Sequence, residues 1–225
     1  MTDGQNKALV VLSGGQDSTT CLYWAIDRFG LDAVTTITFD YGQRHRIELE
    51  CARRVARFAG VDNLILPIDT FAALGGDALT DPDIDVAERV DETSGLPNTF
   101  VPGRNLVFLT FAAAFAWQRG IGHLVTGVAQ TDYSGYPDCR EETMTALQHT
   151  LRLGMESDIT ILTPLMHLSK KETVELARDL GGLPAMAHTH TCYRGQRPPC
   201  GECPACVLRA RGFAEAGVED PLLAA

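Results

Sequence analysis

Six consecutive residues carry the first chemical signal: Ser13-Gly14-Gly15-Gln16-Asp17-Ser18. They follow the apolar run Ala8–Leu12 and precede a helical pattern over Asp17–Phe29. A short β-branched run bounded by glycine reads as a buried strand. A Ser/Gly turn therefore joins a strand to a helix start, where backbone N–H groups lack partners and the helix dipole is positive. Such a place suits phosphate. Glycine lets the backbone approach the anion, and the hydroxyls of Ser13, Ser18 and Thr19 add donors. A plain turn with Asp17 as a helix cap is the alternative. The loop is neither a Walker motif, since no lysine lies between Lys7 and Lys170, nor a Gly-x-Gly-x-x-Gly turn.

The second signal is a cysteine cluster. Four of the seven cysteines fall in one segment: Cys192, Cys200, Cys203 and Cys206. The last three share two-residue spacings, and Cys192 supplies a fourth sulfur. Tetrahedral zinc takes four thiolates at such short turns. Disulfides are disfavoured in the reducing, cytoplasmic setting expected for a sequence that opens with no signal peptide. A redox Cys-x-x-Cys pair and an iron–sulfur cluster are weaker readings. With all four positions filled by sulfur, the zinc is expected to be structural. Cys21 and Cys51 lie in apolar helical patterns and are expected in the core. The six histidines show no metal spacing, though His188 and His190 lie near the cysteines.

Strand patterns at Ala8–Leu12, Ala33–Phe39, Asn63–Ile68, Gly122–Gly127 and Asp158–Leu162 must position these groups. Helical patterns alternate with them at Asp17–Phe29, Arg46–Ala59, Asn105–Arg119, Glu141–Gly154 and Lys170–Leu180. A short helix is expected after Cys206. The alternation predicts an α/β, Rossmann-like three-layer fold with a five-stranded parallel sheet. Residues 1–186 are expected to form the catalytic domain and 187–225 a small zinc-binding segment packed on it. Ligands of such sheets bind at the carboxyl ends of the strands. Ser13–Ser18, Asp40–His45 and the segment after Gly127 then share one rim. Gly75–Gly103 fits no regular element. It holds seven acidic residues and three prolines against one arginine, which suits a mobile substrate-covering loop.

The pattern Ser-Gly-Gly-x-Asp-Ser resembles the PP-loop of ATP pyrophosphatases, which cut ATP between its α and β phosphates. Further segments narrow the likeness. They are Phe39-Asp40-Tyr41-Gly42-Gln43-Arg44-His45, Thr99-Phe100-Val101-Pro102-Gly103-Arg104-Asn105, the run from Thr131 to Arg140, Pro164-Leu165, and Leu168-Ser169-Lys170. With the four cysteines, this set is similar to the 7-cyano-7-deazaguanine synthases of queuosine biosynthesis, from about Ala8 to Arg211. The resemblance implies conversion of 7-carboxy-7-deazaguanine, ammonia and ATP to the nitrile through activated acid and amide intermediates, with Mg²⁺ and one structural Zn²⁺ per chain.

By the same resemblance Leu12, Ser13, Gly14, Gly15, Gln16, Asp17, Ser18, Thr19, Thr20, Cys21 and Leu22 form the nucleotide segment, joined by Arg104 and Gly127. Ser13, Asp17 and Lys170 are the catalytic candidates, with Lys170 as a compact cation for phosphate. Lys171 serves equally on sequence alone. The substrate candidates are Tyr41, Gln43, Arg104, Asn105, Asp132, Tyr133, Tyr136, Asp138 and Arg140. The tyrosines suit stacking on a flat bicyclic base. Asp138 suits the guanine-like amine and ring N–H, and Arg140 or Arg104 suits the substrate carboxylate. Asn105 is alternatively a helix cap.

Composition bounds the partners. Nineteen basic and 29 acidic residues give a formal net charge of −10. No stable nucleic-acid binding is expected without a basic patch. Arg194, Arg197, Arg209 and Arg211 near the cysteines read as a solvated face rather than such a patch. No apolar run is long enough to span a membrane. The resemblance suggests a homodimer. Two other readings stand beside the nitrile-forming one: a related PP-loop enzyme joining a deazapurine to another amine, and a tRNA-thiolating PP-loop enzyme.

Overall fold

The computed structural model describes residues 6–43, 45–81, 83–86, 95–130 and 135–224. Five strands form one sheet: β1 (Ala8–Val11), β2 (Val34–Asp40), β3 (Asn63–Pro67), β4 (His123–Val125) and β5 (Thr160–Leu162). Their order is β3-β2-β1-β4-β5, and every pair is parallel. The fold is α/β as the alternation predicts.

Burial follows the two-residue period of a strand. Leu9, Ile37 and Leu124 face one core, which holds Leu109, Ala112 and Ala116 of helix α4 and Met144 and Leu151 of α5. Ala8, Val10, Val34 and Val125 face the other, which holds Cys21, Leu22 and Ala25 of α1 and Ala52, Val55 and Ala56 of α2. Both sheet faces are thus covered, which is why β1 reads as an unbroken apolar run.

The helices are α1 (Gln16–Phe29), α2 (Ile47–Ala59), α3 (Thr70–Leu74), α4 (Arg104–Gln118), α5 (Glu141–Met155), α6 (Lys170–Asp179) and α7 (Pro204–Ala216). Five match expected helices within a few residues. Helix α3 was hidden by its five-residue length. Helix α7 begins at Pro204, so it starts between the last two cysteines rather than after them. Proline at a first helical position loses no hydrogen bond and presets φ, which explains the earlier start.

The strand order reverses direction at β1: β2 lies on one side of it and β4 on the other. A crevice opens at the carboxyl ends of such a pair. The loop after β1 carries Ser13–Gly15, and the segment after β4 carries Gly127.

The Gly75–Gly103 segment is partly described. Asp77 is buried and ties a turn together: its Oδ1 accepts from the N–H groups of Leu79 and Thr80, and its Oδ2 from the Thr80 hydroxyl. The Ala78 N–H donates to the Asn98 carbonyl, so the two ends of the segment are pinned to each other. The covering-loop expectation rests largely on positions 82 and 87–94, which lie outside the described residues.

Candidate active site

The loop after β1 is built for close backbone approach. Gly14 has φ +83°, and a Cβ there would stand 2.5 Å from the Glu48 carbonyl oxygen and 2.7 Å from the Ala52 nitrogen. No other residue type fits that position. Gly15 is the N-cap of α1 and offers no side chain to the helix start. The first N–H groups of α1 therefore stay available to an anion. The Ser13 and Ser18 hydroxyls lie 3.0 Å apart and close the turn, and the Ser13 N–H donates to Ser18 Oγ at 3.2 Å.

These elements border one cavity of about 290 Å³. Leu12, Ser13, Gly15, Gln16, Asp17 and Ser18 line it, as do Gly127, Lys170 and Arg104. The rest of the expected nucleotide segment lies elsewhere. Gly14 packs against α2. Thr19, Thr20, Cys21 and Leu22 are fully buried within α1. The Thr19 hydroxyl donates to the Gly15 carbonyl at 2.8 Å and the Thr20 hydroxyl to the Gln16 carbonyl at 3.1 Å. Those groups are spent on the helix, and Cys21 and Leu22 belong to the core beneath it. Helical periodicity turns only one face of 16–22 toward the cavity.

Lys170 enters from α6. Ser169 caps that helix: its hydroxyl accepts from the Glu172 N–H at 3.2 Å, and Glu172 Oε2 accepts from the Ser169 N–H at 2.7 Å. This reciprocal box fixes the helix start and puts Lys170 in its first turn. Lys170 Nζ donates to Asp17 Oδ2 at 2.7 Å. Lys171 instead faces Glu175 at 3.7 Å and does not line the cavity, so the structure separates two lysines that the sequence left equal. Gly212 of α7 makes room: a Cβ there would stand 2.9 Å from the Lys170 Cβ. Gly127 does the same for α1, since a Cβ would lie 3.0 Å from the Ser18 nitrogen.

The opposite side of the cavity is aromatic. Tyr41, Phe108, Tyr136 and Tyr193 line it together with Gln43, Asn105 and Cys139. Phe108 stacks on Phe39 with centroids 4.4 Å apart and tilts against Tyr41 at 5.3 Å. The Tyr136 hydroxyl pairs with the Thr99 hydroxyl at 2.6 Å. Burial pushes the Tyr41 hydroxyl up to about 12, so it stays a neutral donor and acceptor. Gln43 spends its amide on its own turn: Oε1 accepts from the Tyr41 N–H, and Nε2 donates to the Phe39 carbonyl.

Arg104 starts α4 and reaches into this half. Its Nη1 donates to the Tyr41 hydroxyl at 3.3 Å, and its guanidinium lies 5.6 Å from the Tyr41 ring centroid. Burial acts to lower its pKa, but Tyr41, Tyr136, Tyr193 and Asp138 outweigh that and raise it. The group is a permanent cation.

Two substrate candidates sit outside the cavity. Asp138 is buried, and its Oδ2 accepts from the Asn105 N–H at 3.0 Å. It caps α4 from a distant loop, and this is the capping role expected of Asn105. Arg140 is the exposed N-cap residue of α5. Asp132 and Tyr133 lie outside the described residues.

Glu48, Phe108 and Tyr193 were not singled out from the sequence, and each lines the cavity. Glu48 belongs to the first turn of α2. Burial pushes its carboxyl up to about 7, with Arg104 pulling partly the other way. Nothing local marks Glu48, because surface helices are full of glutamates. Tyr193 follows the first cysteine of the cluster, a spacing that draws the eye to sulfur instead.

The four sulfurs of Cys192, Cys200, Cys203 and Cys206 lie within 4.8 Å of one another. The Cys203 N–H donates to Cys200 Sγ at 3.3 Å, a bond that favours thiolate. Four converging thiols fit a tetrahedral metal of the zinc type. The cluster is strapped to the catalytic loop: the His190 N–H donates to the Gly14 carbonyl at 2.9 Å, and the His190 ring pairs with the Cys192 carbonyl at 2.9 Å. His190 therefore holds the cysteine loop through its ring and the loop after β1 through its backbone N–H, and it stands outside the sulfur cluster.

The expected solvated arginine face is corrected at Arg209, which is only 4% exposed. It is clamped by Asp220 at 2.6 and 2.7 Å and donates to the hydroxyls of Thr189 and Thr191. Arg194 and Arg211 face Glu202 and Glu215, so these arginines form no unopposed basic patch.

The family model described as "Queuosine biosynthesis protein QueC" matches residues 7–217. The chain belongs to this family. It is 69% identical to a 7-cyano-7-deazaguanine synthase of Chromobacterium violaceum, over 96% of this chain and 93% of the relative. It is 66% identical to one of Laribacter hongkongensis, with the same coverage. Among solved structures, it is similar to an NH3-dependent NAD synthetase from Campylobacter jejuni, at 14% identity and a TM-score of 0.49, covering 80% of this chain and 66% of that one. No helix among the described residues is long and apolar enough to cross a membrane.

Proposed function

We propose that this chain makes 7-cyano-7-deazaguanine from 7-carboxy-7-deazaguanine, ammonia and ATP. The observation that carries the reading is the joining of two unlike halves in one cavity. A phosphate-type loop with an Asp17–Lys170 pair forms one side, and an aromatic wall with a guanidinium forms the other. Membership of the queuosine family and the names of its relatives point to the product, 7-cyano-7-deazaguanine.

The chemistry divides along the cavity. A carboxylate oxygen leaves poorly, so it first attacks a phosphorus of ATP, and the P–O bond to the departing part of the nucleotide breaks. Ammonia then attacks the acyl carbon, the phosphorylated oxygen departs, and an amide remains. The amide oxygen is activated in the same way. Loss of that oxygen and of the nitrogen's protons leaves the nitrile. In each transfer, charge grows on phosphate oxygens. Fixed N–H groups of Gln16–Ser18 and the Lys170 ammonium meet that charge as it develops, at no cost of reorganisation. Asp17 holds Lys170 in place. Mg²⁺ accompanying ATP would neutralise phosphate charge, with Asp17, a carboxylate on the same wall, to hold it.

The four cysteines hold Zn²⁺ in this reading. The metal supplies folding free energy to 187–225, which packs on the catalytic unit 1–186. Ser13 and Ser18 shape the loop, and the tyrosines supply stacking surface. A homodimer in the cytoplasm is part of the proposal. The thiolating alternative loses ground because Cys139 is the single cysteine lining the cavity among the described residues, whereas thiol transfer calls for a pair.

The test is turnover with 7-carboxy-7-deazaguanine, ATP, Mg²⁺ and ammonium, followed by mass spectrometry. The expected result is an ATP-dependent product lighter than the acid by the change from carboxyl to nitrile. ATP consumption without the nitrile would overturn the proposal and point to another amine as acceptor.

A further inference from the structure

Two ionisable side chains in the substrate half, Glu48 and Arg104, form no ion pair among the described residues. Among the described residues, the acidic side chains lining the cavity are Asp17 and Glu48. Asp17 is held by Lys170. The Glu48 carboxylate takes no hydrogen bond or ion pair among the described residues. The basic side chains lining the cavity are Lys170, Arg104 and Arg209. Lys170 is engaged by Asp17 and Arg209 by Asp220. Arg104 donates only to the Tyr41 hydroxyl among them. It acts electrostatically on Glu48 without an ion pair forming between the two. Both residues are half-buried on the cavity wall, and a partly desolvated carboxyl and guanidinium without ion pairs gain when a ligand completes them.

The chemistry of the two groups complements one edge of a guanine-type ring. That edge presents, in a row, a carbonyl oxygen that accepts, a ring N–H that donates and an exocyclic amine that donates. A guanidinium next to a carboxylate is the complementary row.

Resting on the function proposed above, we infer that Glu48 and Arg104 together read this edge. The Glu48 carboxylate accepts from the ring N–H and the amine, and the Arg104 guanidinium donates to the ring carbonyl. Arg104 thereby leaves the carboxylate-binding role that the sequence suggested. A substrate carboxylate placed at Arg104 would bring a second anion close to Glu48, which like-charge repulsion opposes. Asp138, the carboxylate first expected at the amine, is engaged with the Asn105 N–H. The aromatic walls at Tyr41, Phe108 and Tyr136 suit a flat ring presented edge-on to the pair.

The experiment compares 7-carboxy-7-deazaguanine with the analogue that keeps ring and carboxyl but lacks the exocyclic amine. A site built to pair polar groups rejects an analogue without them. The parent chain is expected to favour the full substrate in kcat/KM by on the order of 100-fold or more. In Glu48→Gln this preference should collapse to within about tenfold, through a raised KM for the full substrate. Glu48→Asp, which retains the charge, should keep much of it. Equal use of both compounds by the parent, or an unchanged preference in Glu48→Gln, would overturn the inference. A fall in kcat with KM untouched would also overturn it and assign Glu48 to proton transfer. The parent comparison stands even if a variant fails to fold. Absence of turnover with either compound would overturn the functional reading itself, whereas turnover without preference overturns only this one.

Discussion

Lys170 Nζ and Asp17 Oδ2 meet at 2.7 Å across 153 positions of sequence. The contact ties the start of α6 to the start of α1 and leaves the ammonium on the cavity wall, 16% exposed. A cation held this way needs no rearrangement when phosphate charge develops. Lys170→Met is expected to lower kcat by roughly 100-fold or more, while its melting temperature stays within a few degrees of the parent. Asp17→Asn should lower kcat similarly. Steady-state kinetics beside thermal melts check both, and wild-type kcat in either variant would refute the assignment.

Gly212 makes that contact possible. A Cβ at 2.9 Å from the Lys170 Cβ would force α6 and α7 apart. Gly212→Ala should cost about 1–3 kcal/mol by overpacking and reduce turnover by displacing Lys170. Denaturant titration combined with kinetics tests this. A variant as stable and active as the parent would show that the two helices yield freely.

Asp138 is buried, and its Oδ2 accepts from the Asn105 N–H at the start of α4. Asp138→Ala leaves the Asn105 N–H at the start of α4 unsatisfied, and loss of such a cap costs about 0.5–2 kcal/mol. Chemical denaturation should register that loss, with KM for the deazapurine nearly unchanged in the folded fraction. A large KM change with normal stability would return Asp138 to the substrate.

Glu48 imposes a pH signature on stability. Its carboxyl is raised from 4.5 to about 7 in the fold, mainly by burial. Between those values the native chain holds a proton that the unfolded chain has released. The native state therefore binds more protons there, and stability falls as pH rises. The contribution is fully present below about pH 4.5 and is lost as pH climbs through about 7. The parent, measured without ligands, should lose stability relative to Glu48→Gln across that window. Parallel melting curves would contradict the raised pKa of the Glu48 carboxyl.

Cys203→Ala removes one of four converging sulfurs. Metal content should fall from one ion per chain, and the melting temperature should drop with it, since metal binding is folding free energy. Because His190 links this loop to Gly14, activity should suffer too. Metal analysis beside calorimetry decides it. Retention of one zinc and of the parent melting temperature would argue against the four-sulfur site.

Signals confined to a few neighbouring residues were legible in the sequence. The Ser13–Ser18 loop, the cysteine spacing and the strand–helix alternation each depend on local periodicity or local turn chemistry, which composition displays directly. The meeting of Ser13, Gly127, Lys170 and Arg104 was expected from the likeness to PP-loop enzymes and from the rule that parallel sheets bind ligands at their carboxyl ends, whereas the order of the strands came from the folded chain.

Packing decided the rest. Helical geometry turned Thr19, Thr20, Cys21 and Leu22 away from the cavity although they continue the motif. A capping box picked Lys170 over Lys171. A long-range hydrogen bond took Asp138 for α4, and burial made a clamp of Arg209. Glu48 has no sequence mark, because its importance comes from what surrounds it: the Gly14 loop that only glycine permits, a guanidinium from α4, and the tyrosines Tyr41 and Tyr193. Spacing along the chain specifies which groups a motif offers. Which of those groups keeps a free lone pair or an open face is fixed by neighbours far away in sequence, and only the folded chain brings them together.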